Sequence, residues 1–352
     1  MTSRLLTAIL TLAVAFVATA QRFDWSISLN TVFDNREGDR QNIAPETVFF
    51  TKLTPEIGFS LGKGDRVAGG IVWIQPIGYD WNGNNVRPTI YYHHKGSHLS
   101  GALGLFPRTL LAEEMPSFMW CDSLVYFQDN IRGALLQWHA GRSFAEAYLD
   151  WRQRQTESKR ESFSIVAHAR WQHGSRPWMA GAYVSMNHLA LTKNAPTDMH
   201  IVDNFLAAPY IGADLAALVP FDRLRIRLGF AATIERNRAD RIWKTQPGAW
   251  LEVLAAWKGF EIKNMTYAGA RLQPSYGLFG AMLYQGEPFY KQRFYNRTDI
   301  SYGIIRRRSV DLRAELNFNL SPGSFLFYQK LSLRIFFGNS HDIKRKSQES
   351  SE

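Results

Sequence analysis

Hydrolysis of an ester or amide by side chains alone needs a histidine able to take a proton, set beside a serine or a carboxylate. His93, His94, His98, His168 and His173 fall on or beside segments that read as extended. None of them is accompanied by a Gly-x-Ser-x-Gly elbow, and the chain contains no His-Glu-x-x-His pair. His93 and His94 are adjacent, so in an extended segment they point to opposite faces and cannot share one metal ion. Such histidines read as hydrogen-bonded wall residues. Cys121, the single cysteine, follows Trp120 and reads as a half-buried loop residue rather than a reactive thiol. Gly69-Gly70 stands too isolated to cradle a phosphate. The run Asp34 to Arg40 is rich in oxygen ligands, but no suitably placed glutamate closes a twelve-residue calcium frame, so it reads as a solvated charged loop. The expectation is a chain that is not an enzyme and carries neither cofactor nor metal.

A second constellation is ionic. Residues 107–131 contain Glu113, Glu114 and Asp122 alongside the apolar Leu110, Leu111, Phe118, Met119 and Trp120. So many apolar side chains need a packing partner, which predicts that the stretch folds inward rather than standing in water. Arg170, Arg223, Arg225, Arg227, Arg313 and Arg334 recur on the polar face of extended segments and are the candidate counter-charges. Opposed charges across a narrow, low-dielectric passage orient dipolar solutes and reject large apolar ones. The competing reading is that the acids pair with wall arginines only to fasten the loop.

What must position these residues is legible in the alternation. In 311–320, Leu312, Ala314, Leu316, Phe318 and Leu320 share one face, and Asp311, Arg313, Glu315, Asn317 and Asn319 the other. Leu224, Ile226, Leu228 and Phe230 stand opposite Arg223, Arg225 and Arg227 in the same way. A sandwich core could not bury such charges unpaired, whereas a wet lumen could. Similar segments at 25–35, 49–61, 66–77, 87–95, 98–106, 132–140, 144–151, 162–171, 177–190, 200–213, 247–257, 260–273, 294–306 and 330–337 bring the total to about sixteen, an even number as a closed barrel requires. Short links such as Trp257-Lys258-Gly259 alternate with long ones such as 107–131 and 274–293, as the two rims of an outer-membrane barrel do. Only the link at Ser321-Pro322-Gly323 breaks that size rule. Pro209 and Pro76 weaken the segments they interrupt.

Composition agrees. Arg4, the apolar run Leu5 to Val17 and Ala18-Thr19-Ala20 form a secretory signal, so export and cleavage after residue 20 are expected. The domain reading is a signal at 1–20, a barrel over 21–338 and a disordered periplasmic tail at 339–352. Aromatics reach 14% with 11 Trp, yet mean hydropathy is -0.24. No later stretch is apolar for the roughly 18 residues of a membrane helix. The formal charge of +10 would suggest nucleic acid in a cytosolic protein. Export and the lack of any such motif exclude that partner and leave anionic headgroups or solutes. Trp25, Trp73, Tyr91, Tyr92, Trp138, Trp151, Trp171, Trp178, Trp250 and Trp257 are assigned to interfacial girdles.

With an inward loop after the fifth strand of about sixteen, the chain resembles the porin-like outer-membrane barrels of Gram-negative bacteria. The resemblance is topological and rests on no residue motif. It implies an all-β transmembrane barrel in the cell outer membrane whose loop 107–131 narrows a pore for small polar or anionic solutes. The acidic side would be Glu113, Glu114 and Asp122, opposite Arg170, Arg223, Arg225, Arg227, Arg313 and Arg334. It also implies a homotrimer in contact with outer-membrane lipids and lipopolysaccharide. Two alternatives stay open: a closed barrel serving as receptor, adhesion or envelope-assembly component, and an outer-membrane lipid hydrolase.

Overall fold

The computed structural model describes residues 22–38, 45–80, 85–240 and 242–339. The signal segment 1–20, most of the first loop (39–44) and the tail from 340 lie outside them. The strands are β1 (Arg22–Gly38), β2 (Glu46–Ser60), β3 (Asp65–Pro76), β4 (Val86–Lys95), β5 (Leu99–Pro107), β6 (Asn130–Ala140), β7 (Ser143–Gln153) and β8 (Ser162–Trp171). They continue as β9 (Trp178–Leu189), β10 (Val202–Asp214), β11 (Arg223–Asn237), β12 (Lys244–Trp257), β13 (Phe260–Gly269), β14 (Phe294–Arg307), β15 (Val310–Ser321) and β16 (Ser324–Gly338). Each pairs antiparallel with its sequence neighbours, and β1 closes on β16 through a register running from Ser26↔Gly338 to Gly38↔Leu326. Closure leaves no unpaired edge, the condition for a sheet to sit in hydrocarbon. The fold is therefore a closed 16-strand antiparallel barrel, as the alternation predicts.

The alternation has its expected sense. Ile90, Leu103, Leu136, Ile211 and Leu228 point outward and each is more than half exposed. Their neighbours Tyr91, Ala102, Leu135, Tyr210 and Arg227 point inward and are buried. Oily residues that face out all round a closed cylinder need lipid, not water. At the turn between β12 and β13, Lys258 (φ 47°) and Gly259 (φ 91°) both take positive φ, the hairpin geometry that matches strand twist. Pro209 is absorbed because the ladder to β9 runs through Pro209↔Ala182 while β11 pairs only on either side of it.

Two assignments change. Trp250 and Tyr91 do not stand in a girdle: they point into the lumen and are almost fully buried. Parity places them there, since Trp250 shares the face of Glu252 and Tyr91 that of His93. Tyr148 also faces inward, whereas Tyr302 faces out.

Inside the barrel lies a plug. Residues 107–131 fold into the lumen as expected, ending in the short helix α1 (Asp122–Phe127). A second inward loop, 270–293, was not anticipated. Phe118, Met119 and Trp120 of the first loop and Leu272, Phe289 and Tyr290 of the second join one buried cluster with wall residues from β3 to β16. Backbone bonds clasp the loops together: the Cys121 amide donates to the Gln285 carbonyl (2.8 Å) and the Glu287 amide to the Ser117 carbonyl (2.8 Å). Burial, then the Glu287 charge, pushes the Cys121 thiol up to about 12, which disfavours the thiolate.

Candidate functional site

The predicted constriction residues separate into distinct groups. Glu113 meets Arg170 of β8 and Arg225 and Arg227 of β11, the latter two at 3.4 and 3.3 Å. Arg227 also donates to Glu252 (2.8 Å) and to the Tyr183 hydroxyl (2.7 Å). Burial works to raise the Glu113 carboxyl, yet Arg225, Arg227 and Arg170 together hold it below its ordinary range. Asp122 lies elsewhere. It pairs with Arg297 of β14 (3.1 Å) and Lys330 of β16 (2.8 Å), two cations the sequence reading did not select. Arg223 and Arg313 share Glu261 (3.1 and 3.5 Å), away from either loop acid. Glu114 is exposed and makes no ion pair among the described residues; Arg334 of β16 is exposed and stands opposite Asp311 of β15. Glu113, Arg170, Arg225 and Arg227 thus come together, and the remaining candidates do not join them.

The Asp122 group is the tighter of the two. Arg297 bridges Asp122, Glu287 (3.2 Å) and Asp299 (2.8 Å), so one guanidinium ties both loops to the wall. Burial would raise Asp122, but Arg297 and Lys330 bring it far down. Glu287 goes the other way: burial, then the Asp122 charge, lifts it to about 7. A carboxyl whose folded pKa is raised stabilises the folded state below its unfolded value and loses that contribution as pH rises through the folded pKa. Loop 270–293 is therefore expected to loosen between about pH 5 and pH 8. Limited proteolysis across that range checks this; Glu287→Gln should flatten the profile, and an unchanged profile in the variant would refute it.

Between the loops and β8 to β11 lies a cavity lined by Phe118, Trp120, Asn187, Asn204, Thr233 and Gln285, with about 20 Å³ open to water centres. That is room for about one water, not for an acyl chain or a sugar. Among the described residues no cluster of His, Cys, Asp and Glu is placed to hold a metal ion.

The outer wall carries a different arrangement. His188, at the extracellular end of β9, points outward, and its Nδ1 lies 2.6 Å from Oδ1 of Asp203 on β10. Arg238 donates to the other oxygen of Asp203 (2.9 Å). An ionised carboxylate can only accept, so Nδ1 carries the proton and Nε2 is the free, basic nitrogen. Phe163 stacks on the imidazole (4.8 Å between centroids) and Trp151 stacks on Phe163 (5.4 Å). On the far side Arg236, in register with Asp203, lies over Trp243 (5.4 Å). The pair occupies the last outward rung of β9 and β10 on the extracellular side, within this aromatic row, the level at which lipid headgroup meets acyl chain. Histidine-carboxylate contacts also occur outward at the periplasmic end (His94 to Asp65, 2.7 Å) and inside the lumen (His168 to Glu146, 3.8 Å).

His188 and Asp203 were missed in the sequence. The available signal was parity: both fall on the outward face of predicted strands, where an ionisable side chain is out of place. Nothing local showed that two such anomalies, fifteen positions apart, would meet.

A family model described as lipid A 3'-O-deacylase-type matches residues 17–339. No curated protein matches the chain in sequence. Among solved structures, OprB of Pseudomonas putida is similar with a TM-score of 0.52 at 10% identity, over 92% of this chain and 96% of that one. OprD of Pseudomonas aeruginosa gives 0.53 at 9% identity, over 92% and 96%. The anion-selective porin of Comamonas acidovorans gives 0.51 at 12%, over 90% and 99%. At these identities the likeness is one of fold: a porin-like barrel of the outer membrane. The family match overturns the expectation that the chain is not an enzyme. That expectation rested on the absence of local motifs, and side chains brought together across two strands leave none.

Proposed function

The chain belongs to the lipid A 3'-O-deacylase-type family, and from that premise we propose that it hydrolyses an acyl ester of an outer-leaflet lipid at the His188–Asp203 pair. The observation that carries the assignment is the 2.6 Å contact itself, on the lipid-facing wall at headgroup depth. His188 Nε2 takes a proton from water as the water oxygen attacks the acyl carbonyl carbon. Asp203 holds the ring and stabilises the imidazolium. Arg236, in register with Asp203 on the same outward face, is a candidate for the developing oxyanion. When the tetrahedral intermediate collapses, the carbon to alkoxide-oxygen bond breaks and His188 returns the proton to the leaving alkoxide, releasing a fatty acid and a lipid hydroxyl. The lipid A of the family name and lipopolysaccharide are the substrates to test. Mass spectrometry of lipid A from cells producing the protein should show loss of one ester-linked chain, and none with His188→Gln. Intact acylation in both strains would remove the proposal.

A second reading, passage of small polar or anionic solutes, is favoured by Glu113 of the inward loop meeting Arg170, Arg225 and Arg227 of the wall inside the lumen. In planar bilayers, replacing Glu113 and Glu114 by glutamine should move the reversal potential toward anion selectivity. An unchanged potential, or no conductance steps at all, would end that reading.

A further inference from the structure

The outer face of β13 and β14 carries a polar island where hydrocarbon is expected. Asn264 donates to Thr298 (2.7 Å), Thr298 to the carbonyl oxygen of Asn296 (3.3 Å), Asn296 to Thr266 (2.7 Å) and Thr266 to the carbonyl oxygen of Asn264 (3.0 Å). The four side chains form a closed ring. Their depth follows from register. Counting outward rungs from the periplasmic side, Phe260↔Tyr302 and Ile262↔Ile300 lie below the ring, and Ala268↔Phe294 lies above it. On either flank the same rungs continue as Leu251 and Val253 of β12 and as Phe318 and Leu320 of β15. The island is thus apolar-bounded on all four sides and occupies the third and fourth of the five outward rungs that β13 and β14 share.

Such a ring is satisfied only in part. Each asparagine amide has two hydrogens and the ring uses one from each, so two N–H groups and spare carbonyl lone pairs remain. Acyl chains offer nothing to them, and an unspent amide hydrogen in hydrocarbon is costly. A surface that answers both needs must hold donors and acceptors at the same spacing within an apolar surround, and the island of another copy of this chain is such a surface. Both copies must share one orientation in the membrane, so a two-fold axis along the membrane normal brings island to island, each amide donating to the other's carbonyl. We infer that the β13–β14 face, centred on Asn264 and Asn296, is a contact between two copies of this protein in the membrane. The outward Thr31–Thr51 pair (3.1 Å) of β1 and β2 carries no amide and makes no such demand.

The test is oligomeric state. Full-length protein purified in mild detergent should have the mass of a dimer by multi-angle light scattering. Asn264→Leu with Asn296→Leu, close in size and fit for hydrocarbon, should weaken dimerisation at least tenfold. An amine-reactive cross-linker applied to intact outer membranes should join Lys258 of one copy to Lys258 of the other, because that turn leads into β13, the strand that carries Asn264, at the periplasmic rim; this readout does not require a folded variant. Three outcomes overturn the proposal: a monomeric wild type with no Lys258 cross-link, dimers that survive the double leucine change, or a monomer from which that change removes a co-purifying lipid.

Discussion

Replacing His188 with glutamine is expected to lower deacylation by about 10²–10⁴-fold, the range that general acid-base catalysis contributes. The substitution keeps size and a polar tip but leaves no nitrogen able to take a proton near neutral pH. Asp203→Asn should cost nearly as much, because a neutral amide no longer selects the tautomer with Nδ1 protonated and no longer stabilises the imidazolium. In both variants the loss should appear in kcat with KM little changed, since neither group binds the lipid more tightly in its ground state. His94→Gln is the internal control. It removes the other outward histidine-carboxylate contact, at the periplasmic end of the wall, and should leave activity intact. Equal losses at His94 and His188, or full activity in His188→Gln, would sink the assignment. Both are read by mass spectrometry of lipid A with barrel integrity checked by heat-modifiable mobility.

Arg297→Met is expected to have the largest effect on the plug. The guanidinium is buried among Asp122, Glu287 and Asp299, and its loss leaves those carboxyls facing one another with Lys330 paired to Asp122 and Arg36 acting on them from nearby. Removing one partner of a buried ionic group costs about 3–5 kcal/mol, because the remaining charges keep their desolvation penalty without compensation. Here the cost falls on docking of the two inward loops, not on the ladder of backbone bonds that closes the barrel. The predicted signature is therefore selective: rapid protease cleavage within 107–131 and 270–293 while the barrel itself stays resistant. Adding Asp122→Asn and Glu287→Gln to Arg297→Met should restore much of the protection, as both remove charge that Arg297 had balanced. Whole-barrel unfolding at the same rate as loop cleavage, or no rescue in the triple variant, would contradict this account.

Much of the architecture was open to a reader of the chain because a membrane barrel writes its fold locally. Leu312, Ala314 and Leu316 against Arg313 and Glu315 state which way each side chain points, whatever the partner strand. Lys258-Gly259 likewise states where a hairpin turns. The inward course of 107–131 followed from Phe118, Met119 and Trp120, which have nowhere apolar to go in water. Trp250 and Tyr91 went to the wrong side only because their chemistry was weighed above their parity.

The candidate site is another matter. Parity alone puts His188 and Asp203 on the lipid face; it takes the β9–β10 register to set them opposite, and β11 beside β10 to bring Arg238 to the same carboxylate. Arg297 and Asp122 are 175 positions apart, and Asn264 finds Thr298 only through the β13–β14 pairing. Dyad periodicity is a property of consecutive residues and so belongs to the sequence. Which charge meets which depends on register and loop docking around a closed circle, and those are decided only when the whole cylinder forms.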